Sequence, residues 1–354
     1  MIELYKKAKE VLRKGEPCVL ATVIRQSGSS PRGAGAKCLI SRAGPIWGSV
    51  GGGLLEARTT EEARRVLTTG SPSRLHFSLT GKDVAEADMI CGGRAEVFLE
   101  PLGPLDSPRF TALKEAVSTK QRGGKGVLMT ALSEQLWEGG QGKWFVKEDE
   151  RAGKALPSSL ELNRLIETWW DKLVEQRKPE VVKWKDGRDG ELEFFLEPIV
   201  ANPVLYIFGG GHVSRQIVPL ASLVGFRVVV MDDRAEFARA EDFPEAEEVR
   251  EIDFHNAMEQ LPIDGDSYLV IVTRGHIHDK DVLSQALRTN AKYVGMIGSK
   301  RKRQMIFQSL LDEGFKEEDL ARVHSPIGLP IGAETPEEIA VSIVAELIKA
   351  RAGA

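Results

Sequence analysis

The feature that most constrains this chain is an apolar run, Val204 to Phe208, ended by Gly209-Gly210-Gly211 and followed at once by a helical pattern from Val213 to Val224. A short apolar run bounded by glycine reads as a buried strand, and the turn fits a GxGxx(small) fingerprint in which Ser214 replaces the third glycine. The first glycine makes the bend; Gly211 lets a phosphate approach the amides at the helix N-terminus. A second strand, Arg227 to Met231, delivers Asp232 where an acceptor for a ribose hydroxyl belongs, with Arg234 nearby for an extra phosphate. Strand Tyr268 to Val272, helix Lys280 to Leu287 and strand Tyr293 to Ile297 continue the alternation. Strands and helices in this order predict an α/β fold, with a Rossmann-like doubly wound parallel sheet over residues 203–354.

Ligands of such sheets bind beyond the carboxyl ends of the strands. Two of those ends carry Thr273 to Asp279 and Gly298 to Arg303. Thr273, His276, Asp279, Gly298 and Ser299 therefore join Gly209, Gly210, Gly211, His212 and Asp232 as candidate cofactor-binding residues. His212, His276, His278 and Asp279 read as a ligand contact rather than a metal set, and no metal is expected. The run Lys300-Arg301-Lys302-Arg303 is either a solvated helix start or an anion contact at the same rim. Farther on, Thr335-Pro336-Glu337-Glu338 carries a capping signature ahead of the stripe Ile339, Ile343 and Leu347.

Residues 1–102 read as a mixed α+β domain. A helix from Ile2 to Lys14 precedes strands at Cys18 to Arg25, Ala36 to Ser41 and Ile46 to Ser49; a helix from Leu54 to Leu67 precedes strands at Arg74 to Leu79 and Ala95 to Glu100. Its glycine-rich turns, Gly28 to Gly33 and Gly48 to Gly53, would offer amides to an anion, with Ser30, Arg32, Gly51, Gly52 and Gly53 as contacts. The alternative is a pair of tight turns joining short strands. Cys91, followed by Gly92-Gly93-Arg94, has the setting of a reactive thiol and is the one candidate for a catalytic role; its other reading is a small buried hydrophobe.

Between these domains lies a variable region, residues 103–202, with a faint echo of the first. Val127-Leu128-Met129-Thr130 resembles Val19-Leu20-Ala21-Thr22, and Phe194-Phe195-Leu196-Glu197-Pro198 resembles Val97-Phe98-Leu99-Glu100-Pro101. A degenerate second copy and chance recurrence of strand words explain the echo equally well. A second copy would lack counterparts of Gly51-Gly52-Gly53 and Cys91-Gly92-Gly93, and would then be architectural.

A formal net charge of -4 removes the electrostatic case for nucleic acid or an anionic membrane as partner. Met1 to Lys14 reads as a charged amphipathic helix, not a signal peptide, and no apolar window is long enough to span a bilayer. The three cysteines lack CxxC spacing, so thiols in a cytoplasmic protein are expected, and a homodimer is the commonest assembly.

Taken together, these residues resemble the XdhC/CoxI family, accessory proteins of xanthine dehydrogenase and related molybdenum hydroxylases. The likeness runs through Gly28 to Arg32, Gly48 to Glu56, Cys91 to Gly93, Gly209 to His212, Tyr293 to Ser299 and Pro326 to Pro336. It adds Glu56 and Gly92 to the cofactor-binding candidates. The family implies a chaperone that binds molybdenum cofactor in its molybdopterin form, protects it, and helps insert the sulfurated form into a xanthine dehydrogenase-like apoenzyme, with a cysteine desulfurase as a further partner. Two departures stand out: Leu54 where many members have Cys, and Arg274 where many have His. Competing with the carrier are an NAD(P)-dependent oxidoreductase, which the C-terminal fingerprint alone suggests, and a regulatory module binding another nucleotide.

Overall fold

The first helix, α1 (Ile2–Arg13), turns Ala8 and Val11 inward. After it come β1 (Cys18–Ser27), β2 (Lys37–Ser41), β3 (Trp47–Gly48), α2 (Gly53–Thr69), β4 (Ser73–Ser78) and β5 (Arg94–Leu102), the strands ordered β3-β2-β1-β5-β4. The computed structural model describes residues 1–28, 32–42, 46–78, 93–137, 142–151, 162–185 and 191–353. β1 is buried from Cys18 to Ile24 without alternation because both faces are covered. Val19, Ala21 and Val23 pack with Leu55, Ala63 and Val66 of α2, while Cys18 and Leu20 pack with Ala8 and Val11 of α1.

A second set of elements follows: α3 (Pro108–Gln121), β6 (Lys125–Ala131), β7 (Lys143–Lys147), α4 (Leu162–Gln176), β8 (Glu180–Lys185) and β9 (Glu191–Val200), in the sheet order β7-β6-β9-β8. This repeats the order β2-β1-β5-β4 of the first sheet, down to the register. Leu20 faces Glu100 and Thr22 faces Phe98, as Leu128 faces Glu197 and Thr130 faces Phe195. Thr22 also faces Lys37 on its other side, as Thr130 faces Lys143. The echoing words thus hold equivalent places in two copies of one antiparallel arrangement. Each copy's lysine meets the other's glutamate: Lys37 pairs with Glu197, and Lys143 with Glu100 at 2.7 Å, with all four side chains at most 7% exposed.

Residues divide into two compact units, Met1–Ala201 and Asn202–Ala354. The second contains β10 (Val204–Phe208), α5 (His212–Leu223), β11 (Arg227–Asp232), β12 (Glu248–Glu251), β13 (Tyr268–Ile271), α6 (His276–Ala286), β14 (Tyr293–Met296), α7 (Lys300–Asp312), α8 (Glu317–Ala321), β15 (Val323–His324) and α9 (Pro336–Ala352). Its six strands are all parallel, ordered β12-β11-β10-β13-β14-β15. Tyr206, Phe208, Leu269 and Ile271 pack on one face with Val282 and Leu283 of α6. Leu205, Ile207, Tyr268 and Val270 pack on the other with Ile217 of α5 and Ile343 of α9. The expected α/β class and doubly wound sheet are thus present. The edge strands β12 and β15 escape the sequence reading because they are short and partly exposed, so pairing rather than periodicity defines them. α6 begins at His276 rather than Lys280, which puts His276 and Asp279 in a first helical turn instead of a loop.

Candidate functional site

In the first unit the motif segments leave one end of the sheet. Ser27, closing β1, pairs with Arg94, opening β5, so Gly28 and Gly93 stand at the same end of the sheet. Gly48 closes β3 opposite Cys38, and the Ser49 amide donates to the Lys37 carbonyl at 3.1 Å, which brings the turn Gly48–Gly53 to the same end. Gly48 has φ +82, and a Cβ there would lie 2.4 Å from the Lys37 oxygen, so only glycine fits.

The turn entering α2 already holds a carboxylate. Glu56 Oε1 accepts from the Gly52 amide at 3.1 Å and from Ser49 Oγ at 2.6 Å, and Ser49 Oγ accepts from the Gly51 amide at 3.1 Å. Glu56 therefore sits where an incoming anion was expected, while a Cβ added to Gly52 would meet open space. Arg32 is exposed. Ser30, Cys91 and Gly92 lie outside the described residues. Cys18 and Cys38 are buried, and burial pushes both thiols up to about 12, which keeps them protonated at neutral pH.

Beside this end of the sheet is a cavity of about 360 Å³, lined by Ile24 to Ser27, Ala34, Arg94 to Glu96 and, from the second copy, Pro179 to Val181. Arg25 on its wall donates to Glu96 at 3.3 Å and to Glu193 at 2.5 Å; Arg74 donates to Glu193 at 2.6 Å. Burial alone would push the Glu193 carboxyl up, but Arg74 and Arg25 hold it below the usual carboxylate range. Sequence reasoning missed this cluster. Its one legible signal was that Glu96 and Glu193 each precede an echoing word. A larger groove of about 750 Å³ lies along α3 and β7, where Lys114, Arg122 and Lys147 alternate with Glu115 and Glu148, and it includes none of the motif residues.

In the second unit the glycine turn lies where the strand order reverses, between β10 and β13. A Cβ on Gly209 would come within 2.4 Å of the Val272 oxygen, and one on Gly210 within 2.1 Å of the Phe237 oxygen, whereas one on Gly211 would meet open space. The first two glycines are thus demanded by packing and the third is not. Ser214 fits the position of the third fingerprint glycine by donating its hydroxyl to the Gly209 carbonyl. Asp232, buried, accepts from the Gly210 amide at 2.8 Å and from Arg234 through its amide at 3.1 Å and Nε at 2.9 Å. Burial would raise its pKa, but Arg234 and Gly210 bring it below the usual carboxylate range. Arg234 lies over the Phe237 ring, 3.6 Å from its centre. The two side chains expected at the ribose and the extra phosphate hold each other.

Around the next strand ends, Asp279 is fully buried and accepts from Thr273 Oγ1 at 2.6 Å and from the Thr273 amide at 3.2 Å, while its other oxygen meets Lys302. Burial pushes the Asp279 carboxyl up despite these partners. Gly298, with φ +157, lets the Lys302 stem pack against it, and Ser299 caps α7 by accepting from the Lys302 amide. His276, Ser299, Arg301, Lys302 and Met305 line a cavity of about 320 Å³, so of the residues read as binding candidates at this rim only His276 and Ser299 meet there, together with Arg301 and Lys302 of the basic run. His212 and His276 are exposed; His278 instead packs edge-on to Phe254 with Arg274 at 3.3 Å. Among the described residues no three His, Cys, Asp or Glu side chains could hold a metal ion. No helix among them is long and apolar enough to cross a membrane.

Comparison with known proteins agrees with both units. Residues 205–347 match the family described as XdhC Rossmann domain, and residues 11–78 match the XdhC and CoxI family. The chain is 24% identical to a Bacillus subtilis (strain 168) protein named as a probable xanthine dehydrogenase subunit, over 96% of this chain and 95% of that protein. It is 22% identical to the molybdenum cofactor insertion chaperone PaoD of Escherichia coli (strain K12), over 97% of this chain and 86% of that one. An uncharacterized Escherichia coli protein, YqeB, is 32% identical over 189 residues, half of this chain but only 35% of YqeB. A crystal structure from Bacillus halodurans, described as a xanthine dehydrogenase, superimposes with a TM-score of 0.73 at 26% identity, covering 99% of this chain and 95% of that one. With both characteristic regions matched and the fold shared along nearly its whole length, the chain belongs to the XdhC and CoxI family.

Proposed function

We propose that this protein is an accessory chaperone that binds molybdenum cofactor, protects it, and helps insert its sulfurated form into a xanthine dehydrogenase-type apoenzyme. The observation that carries this reading is that Gly28 and the turn Gly48–Gly53 lie at one end of a sheet, beside a polar cavity with Arg25 on its wall. A polar cavity with a few converging charged groups suits a pterin that bears a phosphate. Resemblance to a relative named as an insertion chaperone along most of its length supports the same role. Against the NAD(P)-dependent oxidoreductase stands Asp232, whose carboxylate is engaged by Gly210 and Arg234 rather than open to a ribose.

The test is to purify the full chain anaerobically from a molybdopterin-producing host, oxidise it and assay the released pterin, with NAD(P)H binding followed by calorimetry. Wild type is expected to retain pterin and Arg32→Ala to lose most of it. Tight nicotinamide binding with no pterin in any preparation would overturn the reading.

A further inference from the structure

The cavity at the motif end of the first unit is shared between the two copies. Arg25 and Glu96 come from the first and Pro179 to Val181 from the second, and Arg25 is held in place by Glu193 of the second. The second copy, expected to be architectural, supplies part of the wall and the anchor of the cation. Glu96 has hydrogen-bonding capacity left. Its Oε2 accepts from Arg25 at 3.3 Å, while Arg74 lies 3.8 Å from the same oxygen and His76 Nδ1 3.6 Å from Oε1, both outside hydrogen-bonding distance. A carboxylate offers about four lone-pair sites, so Glu96 can still accept two parallel hydrogen bonds.

We infer that Arg25 and Glu96 read the edge of a 2-amino-4-oxo heterocycle, the head of a pterin, with Glu193 as the residue that positions Arg25. That edge presents an amino group and a ring N–H, both donors, next to a carbonyl acceptor. A carboxylate beside a guanidinium offers the complementary acceptors and donor, and both are charge-assisted. Pro179 and Val181 supply apolar residue types suited to the faces of a flat ring, and about 360 Å³ lies within the usual range for small-molecule sites. The inference rests on the chaperone reading and adds to it which end of the cofactor this cavity takes.

The experiment titrates the full chain with fluorescent pterin-6-carboxylic acid and with the matching lumazine, in which a carbonyl replaces the amino group. Wild type should prefer the pterin by at least about tenfold, because the lumazine turns an acceptor toward the Glu96 carboxylate in place of the donor it would pair with. Glu96→Gln, nearly isosteric, should abolish that preference and lower retention of the native cofactor. Glu193→Gln should weaken both ligands by a similar factor and leave their ratio unchanged, an outcome that separates positioning from recognition. Thermal unfolding of each variant confirms that it folds. Equal binding of the two probes by wild type, no binding of either, or an undiminished preference in Glu96→Gln would overturn the inference. If native pterin still co-purifies in those cases, the chaperone reading survives; if none co-purifies with wild type, that reading fails as well.

Discussion

Lys37 is the residue on which the first unit most visibly depends. It opens β2, is 5% exposed, and pairs with Glu197 of the other copy, as Lys143 pairs with Glu100. Removing two charges from water costs several kcal/mol per ion, so such a pair adds little net stability, but losing one partner strands a buried charge. Lys37→Met is expected to destabilise the first unit by about 3–5 kcal/mol, and Lys37→Met with Glu197→Leu to recover most of the loss. Urea unfolding followed by tryptophan fluorescence measures this directly, because all six tryptophans precede residue 202. A double variant as unstable as the single one would show that the pair does more than neutralise itself. The glycines of the second unit make a related point. Gly209 and Gly210 are required by the approach of Val272 and Phe237, so a fingerprint read as ligand chemistry is in two of its three glycines a packing requirement.

At the scale of elements, the stretch that begins at Pro326 is held by α9. Gly328 has φ +101, and its Cβ would lie 2.3 Å from Ser342 Oγ; Ser342 in turn donates to the Leu329 carbonyl at 2.6 Å. Glu346 of α9 fastens the segment by accepting from the Gly328 amide at 2.8 Å, Tyr293 Oη at 2.5 Å and His324 Nδ1 at 3.2 Å. Burial would raise the Glu346 pKa, but His324, Tyr293 and Gly328 together bring it below the ordinary range. A lowered folded-state pKa stabilises the fold above the unfolded value of about 4.3, and that stability fades as pH falls through the folded value. Glu346→Gln is therefore expected to cost about 2 kcal/mol near neutral pH, with the gap to wild type closing below about pH 4. Calorimetric scans of both proteins from neutral pH to pH 3 would show it, and a gap that widened in acid would reverse the assignment. Capping at the other end of α9 was legible in sequence: Thr335 Oγ1 accepts from the Glu338 amide at 3.3 Å, and Glu338 accepts from the Thr335 amide at 3.2 Å.

For the whole molecule, the hydrophobic clusters of the second unit draw only on residues after 203, and none of the clusters of the first extends past Ile199. A fragment spanning Asn202–Ala354 is expected to unfold cooperatively alone, and Lys37→Met to shift only the transition reported by tryptophan. Loss of a cooperative transition in the isolated fragment would show that each core needs the other unit. By itself the sequence determined the parallel sheet, because β10, β11, β13 and β14 are buried on both faces and so read as continuous apolar runs bounded by turn residues. It also determined the capped helix α9 and the glycine turns, whose signals lie within a few neighbouring residues. Only the tertiary structure placed the echoing words at equivalent positions of two sheets of like order, since that rests on register between strands far apart in the chain, and only it engaged Glu56 and Asp232 with their own turns. It alone joined Arg25 and Glu96 to Glu193, because charged side chains leave no periodic trace in sequence and acquire partners only when strands from both copies come together.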